Sequence, residues 1–296
     1  MRVLIVTGGD SPERKISFLS AGNVRGALEK KGHKVKFFDL RKGLEILENE
    51  LEKHDIVFPV LHGEEGEGGD LHKFLSAFKT PIVGSRNWQA FKKAWYKIPF
   101  KKFCDKNNIK TAAWKKIKKK EDLLKFPMPF VLKASVGGSS KEVVIVKSNK
   151  DLNKKLLREL VESGQALFVE SFIAGVEVTV GILNNKALPV LEIVPPKGEW
   201  FDYKNKYSGE TREIPNAPSI SEQTRKKVKN IALDLHKKFD LGSYSRSDFI
   251  VAGNDIYVLE VNTIPGLTEQ SLLPKAAKAI GISFPEFCNI LVRTAK

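Results

Sequence analysis

The chain has 296 residues, 42% of them hydrophobic and 29% charged, which suits a globular protein of two or three domains with a sizeable core. No run approaches the length of a membrane span, and Arg2-Val3-Leu4-Ile5-Val6 enters a strand without a signal-peptide pattern, so no membrane association is expected. Cys104 and Cys288 stand far apart without CxxC spacing, which argues against a disulfide scaffold or a zinc site and for a reduced, cytoplasmic protein; the net charge of +15 raises nucleic acid as a partner to be tested against the sequence.

Residues 2–7 read as a buried strand ending at Gly8-Gly9. Asp10 with Glu13 three residues later predicts a capping box, and a helix follows towards Lys31, where Gly32 stops it. Val35-Lys36-Phe37-Phe38 and Ile56-Val57-Phe58-Pro59-Val60 are further strands, so the order predicts a parallel α/β domain to about residue 85. Gly8-Gly9 lacks the three spaced glycines of a dinucleotide fingerprint. The third strand runs into Leu61-His62-Gly63-Glu64-Glu65-Gly66-Glu67-Gly68-Gly69, at the strand end where parallel sheets place ligand loops. His62 alone reads more readily as structural than catalytic.

Lys92 to Lys120 holds twelve lysines against one acid, Asp105, with Trp95, Tyr96, Phe100, Phe103 and Trp114 between them. A nucleic-acid surface is one reading. The favoured one is a helix with a solvated lysine face and aromatic core positions, and nucleic acid is not the expected partner. Phe130-Val131-Leu132-Lys133, the Val136-Gly137-Gly138-Ser139-Ser140 turn and Val143-Val144-Ile145-Val146 form strand, turn, strand. The lysine precedes the glycines and a strand follows them, which excludes a Walker loop, yet free N–H groups and hydroxyls can still cover phosphates. Gly175 to Val180 is another strand, of alternating pattern, and Glu177 on it reads equally as an exposed strand residue or a ligand contact. Trp200 to Gly209 is a polar-aromatic loop, and Ser221 to Asp240 an amphipathic helix with Val228, Ile231, Ala232 and Leu235 on one face.

Arg246 to Ile250 and Tyr257 to Asn262 then form a hairpin. Arg246 and Asp248 share one face of its first arm, Glu260 and Asn262 one face of the second. Asp248 opposes Glu260 only if opposed numbers sum to an even value, and a three-residue turn on Gly253-Asn254-Asp255 is the predicted means. Two carboxylates and an amide oxygen then suit a hard divalent cation. A solvated edge hairpin would carry the same residues.

Leu259-Glu260-Val261-Asn262-Thr263-Ile264-Pro265-Gly266-Leu267-Thr268, followed by Ser271-Leu272-Leu273-Pro274, resembles the C-terminal signature of the D-alanine–D-alanine ligases, which are ATP-grasp enzymes. The resemblance covers nearly the whole chain. It implies an α/β (α+β ATP-grasp) fold: a parallel α/β N-terminal domain (1–85) followed by two α+β subdomains (86–173 and 174–296) that grip ATP between them. It implies a ligase that joins two D-alanines through an acylphosphate for peptidoglycan precursors, with ATP and Mg²⁺ (or Mn²⁺) as cofactors and a homodimeric assembly.

Carried over position by position, the resemblance places Glu13, in Ser11-Pro12-Glu13-Arg14, and His62 at the substrate. Lys97, Lys133, Ser139 and Ser140 would hold nucleotide phosphates. Glu170, Ser171 and Ile173 would meet adenine, and Glu177 the ribose. Lys206 and Tyr207 would close over the site, Lys206 on phosphate and Tyr207 with Glu13 and Ser139; related D-alanine–D-lactate ligases lack that tyrosine. Arg246 and the Gly266 N–H would stabilise the oxyanion, Ser271 and Leu272 would hold the second carboxylate, and Asp248, Glu260 and Asn262 the metal. The chain departs from the family pattern at Gly68, His72, Lys73, Tyr96, Ala134, Lys141 and Glu142.

Overall fold

The computed structural model describes residues 1–138, 142–196 and 210–296. β1 (Arg2–Thr7) lies between β2 (Lys34–Asp39) and β3 (Ile56–Pro59), parallel to both, and a bridge from Val57 to Ile82 widens this sheet. The period of two along β1 sends Val3 and Ile5 to one face and Leu4 and Val6 to the other. Val3 and Ile5 pack on Ala21, Val24 and Leu28 of α1 (Arg14–Glu29) and on Phe287 and Leu291 from the far end of the chain. Leu4 and Val6 pack on Leu47 and Leu51 of α2 (Leu44–Leu51); beyond the short α3 (Glu64–Glu67), Leu71 and Leu75 of α4 (Asp70–Ser76) complete that layer.

The capping box expected of Asp10 and Glu13 does not form. α1 begins after Glu13 with no side-chain cap. Glu65 satisfies the loop from outside, its Oε2 accepting the N–H groups of Asp10 and Ser11 at 2.6 and 3.0 Å. The Asp10 carboxylate pairs instead with Arg41 at 2.5 Å.

The lysine-rich segment is not one helix but two, followed by a strand. α5 (Trp88–Trp95) ends at Tyr96, whose extended backbone (ψ 110°) starts α6 (Lys97–Lys106). Its aromatics do find core partners: Phe100 is buried and the Phe103 ring lies 4.2 Å from that of Phe239. An antiparallel sheet follows in the order β4-β7-β5-β6, built from β4 (Trp114–Ile117), β5 (Phe130–Ala134), β6 (Val143–Val146) and β7 (Leu167–Ser171). Leu157 and Leu160 of α7 (Lys155–Glu162) cover it.

The third sheet runs β11-β10-β8-β12-β13, with β9 (Lys186–Ala187) hydrogen-bonded to β8. Its strands are β8 (Val176–Leu183), β10 (Leu191–Val194), β11 (Arg212–Pro215), β12 (Tyr244–Ala252) and β13 (Asp255–Asn262). Val178 and Val180 of β8 pack under Val228 and Leu235 of α8 (Glu222–Lys238), and Ala90 and Phe100 of α5 and α6 join the same core. Ser221 caps α8 through its hydroxyl. Then α9 (Leu272–Lys278) and α10 (Phe284–Arg293) return to the first sheet.

The hairpin of β12 and β13 opposes Arg246 to Asn262 and Asp248 to Glu260, as the face argument requires, but by another device. Ala252 pairs with Asp255, so the turn has two residues, with Gly253 at φ +60°. The register is 249 to 258 near the turn and 248 to 260 beyond it. Leu259 is the extra residue of a β-bulge, and the bulge restores the even sum that the turn does not supply.

Candidate active site

The antiparallel sheets enclose a cleft of about 480 Å³. From one side Lys97, Lys133, Glu170, Ser171 and Ile173 line it; from the other come Glu177, Thr179, Asp248, Glu260 and Leu272. Leu259 lines it as well. At a bulge two successive side chains face the same way, so the hairpin offers an apolar wall beside a carboxylate.

At the hairpin end, Asp248 accepts a two-pronged contact from Arg246, Nε to Oδ1 at 2.9 Å and a terminal N–H to Oδ2 at 2.8 Å. Thr179, opposite Asp248 on β8, donates to Oδ1 at 2.5 Å, and the Asn262 amide donates to Oδ2 at 3.1 Å and to Glu260 Oε1 at 3.4 Å. Burial opposes the charge on Arg246, but Asp248 beside it raises its pKa further still, so the guanidinium is a fixed cation. These four donors occupy the lone pairs of a carboxylate. A half-turn of the Asn262 amide frees one Asp248 lone pair and presents Oδ1 to the same point. The set of two carboxylates and one amide oxygen therefore fits a hard divalent cation.

A second group faces it from the parallel sheet. The Glu13 carboxylate lies against Gly63, 2.9 Å from where a side chain there would begin. His62 is clamped by Ser17, whose Oγ accepts its N–H at 2.9 Å, and by Ser20, whose Oγ lies 3.1 Å from Nε2. Burial pushes the His62 pKa down to about 4 although Glu13 lies close, so the ring is neutral. Glu67 accepts the Gly63 N–H at 3.1 Å and stands 4.0 Å from His62 Nδ1. Burial pushes its carboxyl up to about 8, with Glu260 adding to the rise and Arg246 opposing it. Glu67 thus lies where the two groups meet.

Between them runs the loop 263–271. Ser271 Oγ accepts the Thr268 N–H at 3.1 Å and sits 2.8 Å from the position a Cβ at Gly266 would take, so a side chain there would displace the hydroxyl that closes the loop. On the side of the β4-β7-β5-β6 sheet Lys97 Nζ donates to the Gly137 carbonyl and fixes the start of the glycine turn. Lys133 pairs with Glu170 at 2.5 Å, and Lys101, on the turn of α6 after Lys97, pairs with the same carboxylate. Ser139, Ser140, Lys206 and Tyr207 lie outside the described residues.

Three comparisons bear on this arrangement. The family model described as D-ala D-ala ligase C-terminus matches residues 96–293. The chain is 37% identical to the D-alanine–D-alanine ligase of Aquifex aeolicus over 99% of its own length and 100% of the relative's. The chain belongs to the D-alanine–D-alanine ligase family. A ligase of Desulfovibrio desulfuricans is 33% identical, covering 99% of this chain and 96% of that one. The Bacillus anthracis D-alanine–D-alanine ligase, in its complex with ATP, superposes with a TM-score of 0.84 at 27% identity, over 99% of this chain and 97% of that one. The Coxiella burnetii D-alanine–D-alanine ligase gives 0.79 at 25% identity, over 99% and 93%. The fold is the ATP-grasp arrangement of this family, with a parallel sheet first and antiparallel sheets after it.

Reading single residues from the sequence missed Thr179, Glu67 and Lys101. Thr179 was signalled by its two-residue spacing from Glu177 on a strand, which puts both on the cleft face. Glu67 lay in the glycine loop beside His62. Lys101 was hidden among the other lysines.

Proposed function

We propose that this protein joins two molecules of D-alanine at the expense of ATP, through an acylphosphate, to make D-alanyl-D-alanine for peptidoglycan precursors. The observation that carries this reading is full-length membership of the ligase family, together with a cleft between two sheets that ends at the Asp248–Glu260 pair.

In this reading Lys97 and Lys133, with Ser139, Ser140 and Lys206, hold the nucleotide phosphates, while Glu170, Ser171, Ile173 and Glu177 meet adenine and ribose. Asp248, Glu260 and Asn262 would hold Mg²⁺, which when bound would offset phosphate charge. Glu13, beside Gly63, orients the first amine, and neutral His62 stands next to it without adding charge. Arg246, already immobilised by Asp248, is directed at the oxyanion formed when the second amine attacks, aided by the Gly266 N–H. One such donor contributes about 3–4 kcal/mol to a transition state. Ser271 and Leu272 hold the second carboxylate, and Tyr207 closes the site with Glu13 and Ser139. We assign the chain a cytoplasmic location and a homodimeric state on the same family ground, and propose units at 1–85, 86–173 and 174–296.

The test is phosphate release from Mg·ATP with D-alanine, L-alanine or D-lactate. Release that requires D-alanine, with a dipeptide seen by mass, is the expected result. Release with another amino or hydroxy acid alone would move the substrate, and silence with all three would remove the ligase reading.

A further inference from the structure

Two lysines share one buried carboxylate beside the cleft. Glu170 is 2% exposed, and Lys101 is also 2% exposed. Lys133 Nζ is 2.5 Å from Glu170 Oε1, and Lys101 Nζ contacts Oε2. The register explains the first contact. Val131 of β5 opposes Glu170 of β7, and Lys133, two residues on, projects from the same face. Lys101 comes from the helix side and is held a second time by Thr111, whose hydroxyl donates to the Val258 carbonyl at 2.9 Å. Lys133 and Glu170 line the cleft; Lys101 lies behind them and is not among its walls.

Charge counting shows what the third group does. A buried carboxylate must be compensated, but one ammonium suffices for neutrality. With Lys133 alone, the cleft wall would carry a neutral pair and Lys133 would be committed to Glu170. With Lys101 behind it the cluster carries a net positive charge, and the surplus falls on the member that faces the cleft.

We infer that Lys101 is a positioning residue for nucleotide binding: it matches the Glu170 carboxylate from behind, so that the Lys133 ammonium is available to phosphate. The inference rests on the nucleotide reading of the cleft. Burial opposes ionisation of Glu170, but Lys133 and Lys101 hold its carboxyl down at about 2; burial also draws the Lys101 ammonium below its ordinary value, against the Glu170 carboxylate that holds it up. Lys101 acts through Glu170 and Lys133, so its removal should be felt by a ligand's phosphates more than by its base.

The experiment measures ADP and adenosine binding, in Mg²⁺ buffer, to the native chain, Lys101→Met and Lys101→Met/Glu170→Gln. Lys101→Met is expected to weaken ADP at least tenfold and adenosine less than threefold. The double variant again leaves one lysine with a single surplus positive charge, and it should recover most of the ADP-to-adenosine ratio. Equal losses for ADP and adenosine in Lys101→Met, ADP affinity of that variant within threefold of native, or a double variant whose ADP-to-adenosine ratio is no higher than the single's would each overturn the inference. If Lys101→Met does not fold, the double variant decides alone, because it buries no unmatched carboxylate. A native ratio then supports the charge argument, and a tenfold fall in that ratio refutes it. Failure of the native chain to bind ADP removes the nucleotide reading, and the inference falls with it.

Discussion

Arg14 and Asp39 close the base of the loop that carries Glu13. Arg14 donates to both Asp39 oxygens, at 2.9 and 2.6 Å, and also to the Gly9 carbonyl at 2.9 Å. The Arg14 hydrogen bonds hold the Asp39 carboxyl down at about 2, below its ordinary 3.8. A carboxylate whose folded pKa is depressed adds stability that is present above the unfolded value and is lost as pH falls through the folded one. A tenfold change in proton affinity corresponds to about 1.4 kcal/mol, and the pair is roughly a quarter exposed, so Asp39→Asn should cost roughly 1–2 kcal/mol at neutral pH. Urea titrations should show the gap between native and variant closing between about pH 4 and pH 2. A gap that stays constant across that window would trace the loss to something other than this ion pair.

Lys101 shows why single residues are the least legible part of this sequence. Ile98, Lys101 and Cys104 are spaced by three, so Lys101 sits on the buried face of α6, between residues that enter the core. Its eleven fellow lysines in the segment set the expectation of a solvated face, and nothing local marks the one with a carboxylate waiting for it. That partner is Glu170, on a strand 69 residues away. Helical spacing gives the face; only the tertiary fold supplies the partner.

At the scale of elements the face pattern was legible and the means was not. Alternation places Asp248 and Glu260 together whatever the turn, because burial of one sheet face fixes register. The choice between a three-residue turn and a two-residue turn with a bulge depends on neighbours outside the hairpin. Lys110 draws Asp255 into the ladder with a 2.5 Å ion pair and its carbonyl accepts the Val258 N–H at 2.9 Å, while Thr111 donates to the Val258 carbonyl. Val258 is thus pinned from its outer edge, and the surplus residue is expelled at Leu259. Deleting Leu259 should leave Phe249 opposite Val258 and Asp248 opposite Glu260, since only the bulged residue goes. The expected variant folds, keeps its midpoint for divalent cation within about threefold and raises KM for ATP several-fold through loss of an apolar wall. Loss of all turnover at every Mg²⁺ concentration would show that the bulge, rather than face burial, sets the register.

The whole molecule is less divisible than its chain order suggests. The parallel sheet and two antiparallel hairpins were readable from strand order and glycine punctuation, whereas β4, β10 and β11 were not, and the cores do not follow the chain in blocks. Phe287, Leu291 and Val292 of α10 fill the core of the first sheet beside Val3, Ile5 and Val24. The last residue is tied to the same sheet, its carbonyl accepting the Ile82 N–H at 2.8 Å. Gly242 packs so closely on Gly84 that a Cβ there would come within 1.8 Å of the Gly84 carbonyl oxygen. A chain stitched in this way should unfold as one unit even when the damage is local. Phe287 is wholly buried, and Phe287→Ala should cost about 3–5 kcal/mol from lost contacts and the cavity left behind. In a chain whose other three tryptophans are replaced by Phe, Trp114, on β4 and edge-on to Phe168, reports the second sheet by fluorescence, while far-UV circular dichroism reports the whole molecule. Both signals should move to lower denaturant together and remain superimposable. If the fluorescence transition stays at its native midpoint while the dichroism splits into two steps, the first sheet with its C-terminal helix is an independent folding unit. The site between the sheets would then be assembled from parts that fold separately rather than held by one continuous core.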